Sequence, residues 1–311
     1  MKRASFNEPL SQVGARITQC LWDGPCHRGE KALVMENAFL RATVLLKGAW
    51  VISVIDKTTG RDFINASDEG RNNENGIFDR YGPPGRPGSG VADPEHFRNR
   101  LYAYSITDTA AVRFTCQSDH VAIERTLSLA GSAPLLRVSV KLTNISGERI
   151  RTCALVSYQP NTGPAPVTYN SIVTFPKPDG EYVSNFDIHT DETLSDGWWY
   201  TLDRKTKEAT VMVYPKDDPR VSSIYGYRQP DFFHCITFGP LSIIAPGQSL
   251  STESDFVFLT GLEGVARMSM DWLALPDQAA EKLAASLKQA MCVPPFNASA
   301  PFPQALPVVD A

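Results

Sequence analysis

The chain has 311 residues, 42% of them apolar and 21% charged, with a formal net charge of −4. That length can bury a sizeable core, and large all-β proteins reach it as one domain. The acidic balance argues against a nucleic-acid partner, and no apolar run approaches the length of a membrane span.

In chain order, residues 1–29 read as an N-terminal extension with a first strand at 16–22, closed by the turn Trp22-Asp23-Gly24-Pro25. The start MKRASFNEPLSQVG is basic but lacks the apolar segment of a signal peptide. A cytoplasmic location is therefore expected; the alternative is a periplasmic or secreted protein whose signal has been removed. Six scattered cysteines, with no C-x-x-C, read as free thiols. His27 falls in the loop after Gly24-Pro25-Cys26.

Residues 33–64 carry the clearest pattern. Phe39 to Leu46 is a β-branched and aliphatic run, Lys47-Gly48 interrupts it, and Trp50 to Ile55 resumes it. Asp56-Lys57-Thr58-Thr59-Gly60-Arg61 closes it with turn chemistry. Two such runs separated by glycine predict consecutive antiparallel strands. Residues 65–100 are dense in Gly, Pro, Asn and Asp and are expected to form a long irregular loop, with Arg80 and His96 among its polar side chains.

From residue 101 the strand signals return. Four segments, 101–109, 111–118, 120–130 and 135–146, alternate apolar and polar residues between turn residues. Evenly spaced short strands with one apolar face predict an all-β sandwich or barrel. A further strand ends at Tyr158-Gln159-Pro160-Asn161, another spans 209–215, and at least three more lie between 222 and 264. One helix is predicted, over 275–291, with Ala280, Leu283, Leu287 and Met291 on one face. The proline-rich tail after it is either an ordered strap or disordered.

Three stretches together resemble the galactose mutarotase-like superfamily, which includes the aldose 1-epimerases. The first is Glu36-Asn37, Leu40-Arg41 and Val44-Leu45, a glycine turn, a short strand, then Asp56-Lys57, Thr59-Gly60-Arg61 and Phe63. The second is Ile123-Glu124-Arg125 and Leu127, a turn, then Leu136-Arg137-Val138 and Leu142-Thr143-Asn144. The third is Ala245-Pro246-Gly247-Gln248 between two apolar runs. The resemblance covers residues from about 30 to 262. It implies an all-β, antiparallel β-supersandwich over 30–274, with one C-terminal helix and a Pro-rich tail at 275–311 packed on the same domain. It also implies a sugar substrate, mono- or oligosaccharide, and proton-transfer chemistry in a sheet cleft.

Converting one anomer into another needs a proton delivered to the ring oxygen and one removed from the anomeric hydroxyl. Histidine performs both near neutral pH. His96 follows the long loop, as one family histidine does. His234 lies in the apolar run Phe232-Phe233-His234-Cys235-Ile236 and is the first choice of acid/base. Where the family carries another histidine, this chain offers Tyr158, Gln159 and Asn161. Arg80, Trp198, Trp199 and Tyr227 complete the expected substrate-binding set. Successive strand residues point to opposite faces, so Trp198 and Trp199 occupy different sides, and one of them is expected to face a cleft. No Gly-rich phosphate loop, serine elbow or zinc spacing occurs, and no cofactor or metal is expected. The arginine-only basic set of the long loop, with Gln159 and Asn161, also suits a lyase acting on a uronate glycan. A non-catalytic sugar-binding module is the third reading.

Overall fold

The computed structural model describes residues 15–24, 27–64, 76–82, 96–158, 171–177, 180–184, 188–192, 196–214, 223–229, 232–238, 241–268 and 275–295, with backbone alone at 154, 155, 157, 182 and 184 and over 188–192, 223–229 and 232–238. Its strands, in chain order, begin with β1 (Arg16–Leu21), β2 (Lys31–Glu36), β3 (Leu40–Leu45), β4 (Val51–Asp56), β5 (Ile77–Gly82) and β6 (Ala103–Asp108). They continue with β7 (Ala111–Gln117), β8 (Val121–Leu129), β9 (Leu135–Asn144), β10 (Ile150–Tyr158), β11 (Ser171–Lys177), β12 (Gly180–Ser184) and β13 (Ile188–Glu192). The last are β14 (Trp198–Asp203), β15 (Glu208–Val213), β16 (Ser223–Gln229), β17 (Phe232–Phe238), β18 (Ser242–Ile244) and β19 (Ser249–Thr260). Two helices follow, α1 (Gly261–Ala266) and α2 (Asp277–Cys292).

Two antiparallel sheets pack face to face. The first has the order β1-β2-β3-β4-β5-β10-β17-β16-β13, with β18 pairing off β10. The second has the order β12-β11-β14-β15-β19-β9-β8-β7-β6. The all-β supersandwich with a C-terminal helix is thus the observed architecture. Period-two alternation builds the core. On β8, Ile123, Arg125 and Leu127 are buried and face inward, while Glu124 and Thr126 face out. On β2, Leu33 and Met35 join the inter-sheet core, while Val34 turns to a small outer cluster with Trp22, Leu45 and Ile52.

The outer face of the second sheet is covered in part by α2. Ala280, Leu283, Leu287 and Met291 form one apolar cluster with Trp198, Tyr200, Leu202, Val211 and Leu259. The helical spacing seen in the sequence is therefore the contact face. A second, short helix, α1, continues directly from β19 and was not expected from the sequence.

Residues 65–100 are not loop throughout. They contain β5 and a 3-10 turn at Phe97–Asn99. Asp79 breaks the apolar pattern of β5 because it faces the interior, where Arg125 meets it. The entry to β5 requires glycine. Gly76 has φ +116, and a Cβ there would lie 2.3 Å from the carbonyl oxygen of Val51, the residue paired with Ile77.

Candidate functional site

The strand register of the first sheet sets out the site. Tyr158 on β10 pairs with Ile77 on β5 and with Cys235 on β17. Tyr158 is buried in the inter-sheet core, so Ile77 and Cys235 share its inward face. Phe78, Arg80, His234 and Ile236 occupy the alternate positions, on the outer face. Across β16, Tyr227 is the direct partner of His234, and Tyr225 that of Ile236. One face of one sheet therefore carries Arg80 on β5 and the cross-strand positions His234 and Tyr227; β5 and β17 are two strand intervals apart, and Arg80 is level with Phe238, four residues along β17 from His234.

Arg80 rests on an aromatic base. Its guanidinium carbon lies 5.3 Å from the centroid of the Phe78 ring. Phe78 in turn stacks on Trp50, with centroids 4.9 Å apart and ring planes 24° apart. Trp50 meets the ring of His27 edge to face at 5.4 Å. His27 Nδ1 is 3.4 Å from Glu30 Oε1, and Lys47 Nζ is 3.3 Å from the same oxygen. His27 Nε2, Glu30 Oε2 and Trp50 Nε1 are enclosed and have no hydrogen-bond partner among the described residues. Buried polar atoms without partners are uncommon and costly.

His96 stands just before the 3-10 turn that packs beside β5, exposed, with φ 52 and ψ 35. Phe97 anchors that turn in the core. Like His27, with φ 60, His96 is a non-glycine residue in the left-handed region. Such conformations cost energy and gather at functional sites.

Three expected binding residues sit elsewhere. Trp198 and Trp199 do point to opposite faces of β14, but both are 0% exposed, and neither faces a cleft. Trp199 fills the inter-sheet core, and Trp198 lies under α2, stacked on Tyr200 at 6.0 Å. Tyr158 is also 0% exposed. Its hydroxyl donates to Thr210 Oγ1 at 2.7 Å or to the Phe63 carbonyl at 3.0 Å, which makes it a link between the sheets. Gln159 and Asn161 lie outside the described residues, as do the side chains of Tyr227 and His234. Trp50 and Phe78 were not singled out from the sequence, and His27 was read only as a loop residue. Phe78 lies two residues before Arg80 and so on the same strand face, a relation that shows once 77–82 is known to be a strand.

No protein-family model matches this sequence, and no curated protein sequence is significantly similar to it. Solved structures are similar in fold. A galactose mutarotase-like protein from Lactobacillus casei superimposes with a TM-score of 0.57 at 13% identity, over 73% of this chain and 99% of that one. A galactose mutarotase related enzyme from Lactobacillus acidophilus gives 0.54 at 14% identity, over 74% and 97%. A TPR-domain containing protein from Parabacteroides distasonis gives 0.56 at 12% identity, over 86% of this chain and 56% of that one. The chain has the galactose mutarotase-like fold.

Proposed function

We propose that the chain is a carbohydrate-active protein of the aldose 1-epimerase-like type, acting on a sugar by proton transfer on the outer face of the first sheet. One observation carries the reading: Arg80, seated on Phe78, shares that face with the paired positions His234 and Tyr227. Arginine offers up to five N–H donors to sugar hydroxyls, and histidine moves a proton near neutral pH. In this reading His234 takes the proton of the anomeric hydroxyl as the bond from the anomeric carbon to the ring oxygen breaks. The electron pair goes to the ring oxygen, which receives a proton from His96. The chain closes again on the other face of the aldehyde, with both proton movements reversed. Gln159, Asn161 and Tyr227 bind the remaining hydroxyls.

The test is a screen of neutral sugars for accelerated anomer exchange by NMR, beside uronate polymers followed by the ultraviolet absorbance of an unsaturated product. Exchange without absorbance is the expected result. Absorbance without exchange would replace the reading by a lyase. Saturable sugar binding with neither signal would replace it by a binding module.

A further inference from the structure

We propose that His27 is a positioning residue for Arg80, acting through the two stacked rings between them. The inference rests on the reading of Arg80 as the sugar anchor. The two residues are far apart in sequence, yet an unbroken series of contacts joins them. Lys47 and Glu30 meet at 3.3 Å, Glu30 and His27 at 3.4 Å, and His27 and Trp50 edge to face at 84°. Trp50 then stacks on Phe78, and Phe78 lies under Arg80.

Each link in this series has a reason to transmit position. Trp50 and Phe78 are 4% and 0% exposed, so neither presents an open face to a sugar, and the stack acts on Arg80 instead. Trp50 Nε1 makes no hydrogen bond among the described residues, so none of their polar groups fixes the indole within its plane. Its setting depends on what packs around it: Phe78 on one ring face and His27 in the edge contact. His27 has a partner of its own. Its Nδ1 meets Glu30 Oε1, and Lys47 Nζ meets the same carboxylate oxygen. The turn that presents it is closed by the Glu30 N–H donating to the His27 carbonyl at 3.0 Å. The left-handed backbone of His27 is a strain retained at this point of the hairpin. A ring stack transmits a displacement because close-packed interiors leave no slack to absorb it.

The experiment follows the Nε–H resonance of Arg80 in the full chain labelled with 15N-arginine, assigned by its loss in Arg80→Lys. His27→Ala should shift and broaden that resonance. It should also raise KM for the sugar turned over by roughly 10- to 100-fold, the scale of a small misplacement of an anchoring group, with kcat nearly unchanged. His27→Phe restores a ring edge without the Glu30 contact and should recover part of both effects, which separates packing from the ion pair. A folded His27→Ala protein with the Arg80 resonance and KM unmoved overturns the proposal. If His27→Ala does not fold, Glu30→Gln decides: a moved Arg80 resonance supports the relay and an unmoved one overturns it. If the wild-type chain turns over no sugar, the functional reading falls, and the Arg80 resonance alone judges the role of His27.

Discussion

Arg125 and Asp79 meet across the sandwich, from β8 in the second sheet to β5 in the first, with Nε and Oδ2 3.2 Å apart and both side chains under 5% exposed. The same guanidinium donates from Nη1 to the Ala49 carbonyl at 2.8 Å and from Nη2 to the Ile77 carbonyl at 3.4 Å. One side chain thus ties the turn after β3 to the first residue of β5, the strand that carries Phe78 and Arg80. Buried ion pairs add little over a well-packed apolar pair, but breaking one leaves a charge in a poor solvent.

Replacing Arg125 by Met should therefore destabilise the chain by about 3–5 kcal/mol. Urea unfolding would show the loss as a lower midpoint at an unchanged slope. The double change Arg125→Met with Asp79→Leu should recover much of it. A single variant within about 0.5 kcal/mol of wild type would mean that Asp79 does not depend on this cation.

Tyr200 supplies a pH dependence. Its hydroxyl lies 2.8 Å from Ser286 Oγ, and Ser286 donates to Glu181 Oε2 at 2.7 Å, so the phenol proton goes to Ser286. Burial, helped by the negative charge of nearby Glu181, pushes the phenol up from 10.0 to about 12. The folded state therefore binds this proton more tightly than the unfolded state. The stabilisation is complete below pH 10 and is lost as the pH rises towards about 12. The slope for one group is at most about 1.4 kcal/mol per pH unit. Tyr214, also raised by burial, acts in the same direction. Tyr200→Phe should flatten the alkaline limb of stability against pH; a limb parallel to that of wild type would remove Tyr200 as its source.

Tyr158 and His234 should separate structure from chemistry. Tyr158→Phe deletes the hydroxyl that joins β10 to Thr210 and should cost about 1–3 kcal/mol, with activity per folded molecule retained. His234→Asn should leave the melting temperature nearly unmoved and lower turnover by roughly 10²–10⁴-fold. Thermal melts and sugar exchange on both variants provide the check. The opposite pattern would move the site from the outer face of the first sheet to its inner one.

Alternation made much of the fold legible: β8 and β9 bury every second residue, and the apolar face of α2 falls on the residues its spacing marks. β5 was hidden because Asp79 and Arg80 sit side by side among Gly and Asn, and only the distant Arg125 shows that Asp79 faces inward. The Trp198-Trp199 pair illustrates another limit. Alternation separates the two rings correctly, but it carries no sign that a helix some eighty residues on covers the outer side as well. The contact of His27 with Trp50 arises where a hairpin turn meets the turn before β4, and no periodicity spans that distance.

The helix over the second sheet has a practical consequence. Trp198, Tyr200, Leu202, Val211 and Leu259 lie on strands already hydrogen-bonded into one sheet, and α2 is what covers them. A version of the protein shortened before residue 275 would keep its inter-sheet core and yet present a broad sticky panel of aromatic and branched side chains. Such surfaces drive association. Helix α2 therefore acts as a built-in cover against association, and the sandwich beneath it is not a smaller stand-alone protein in waiting.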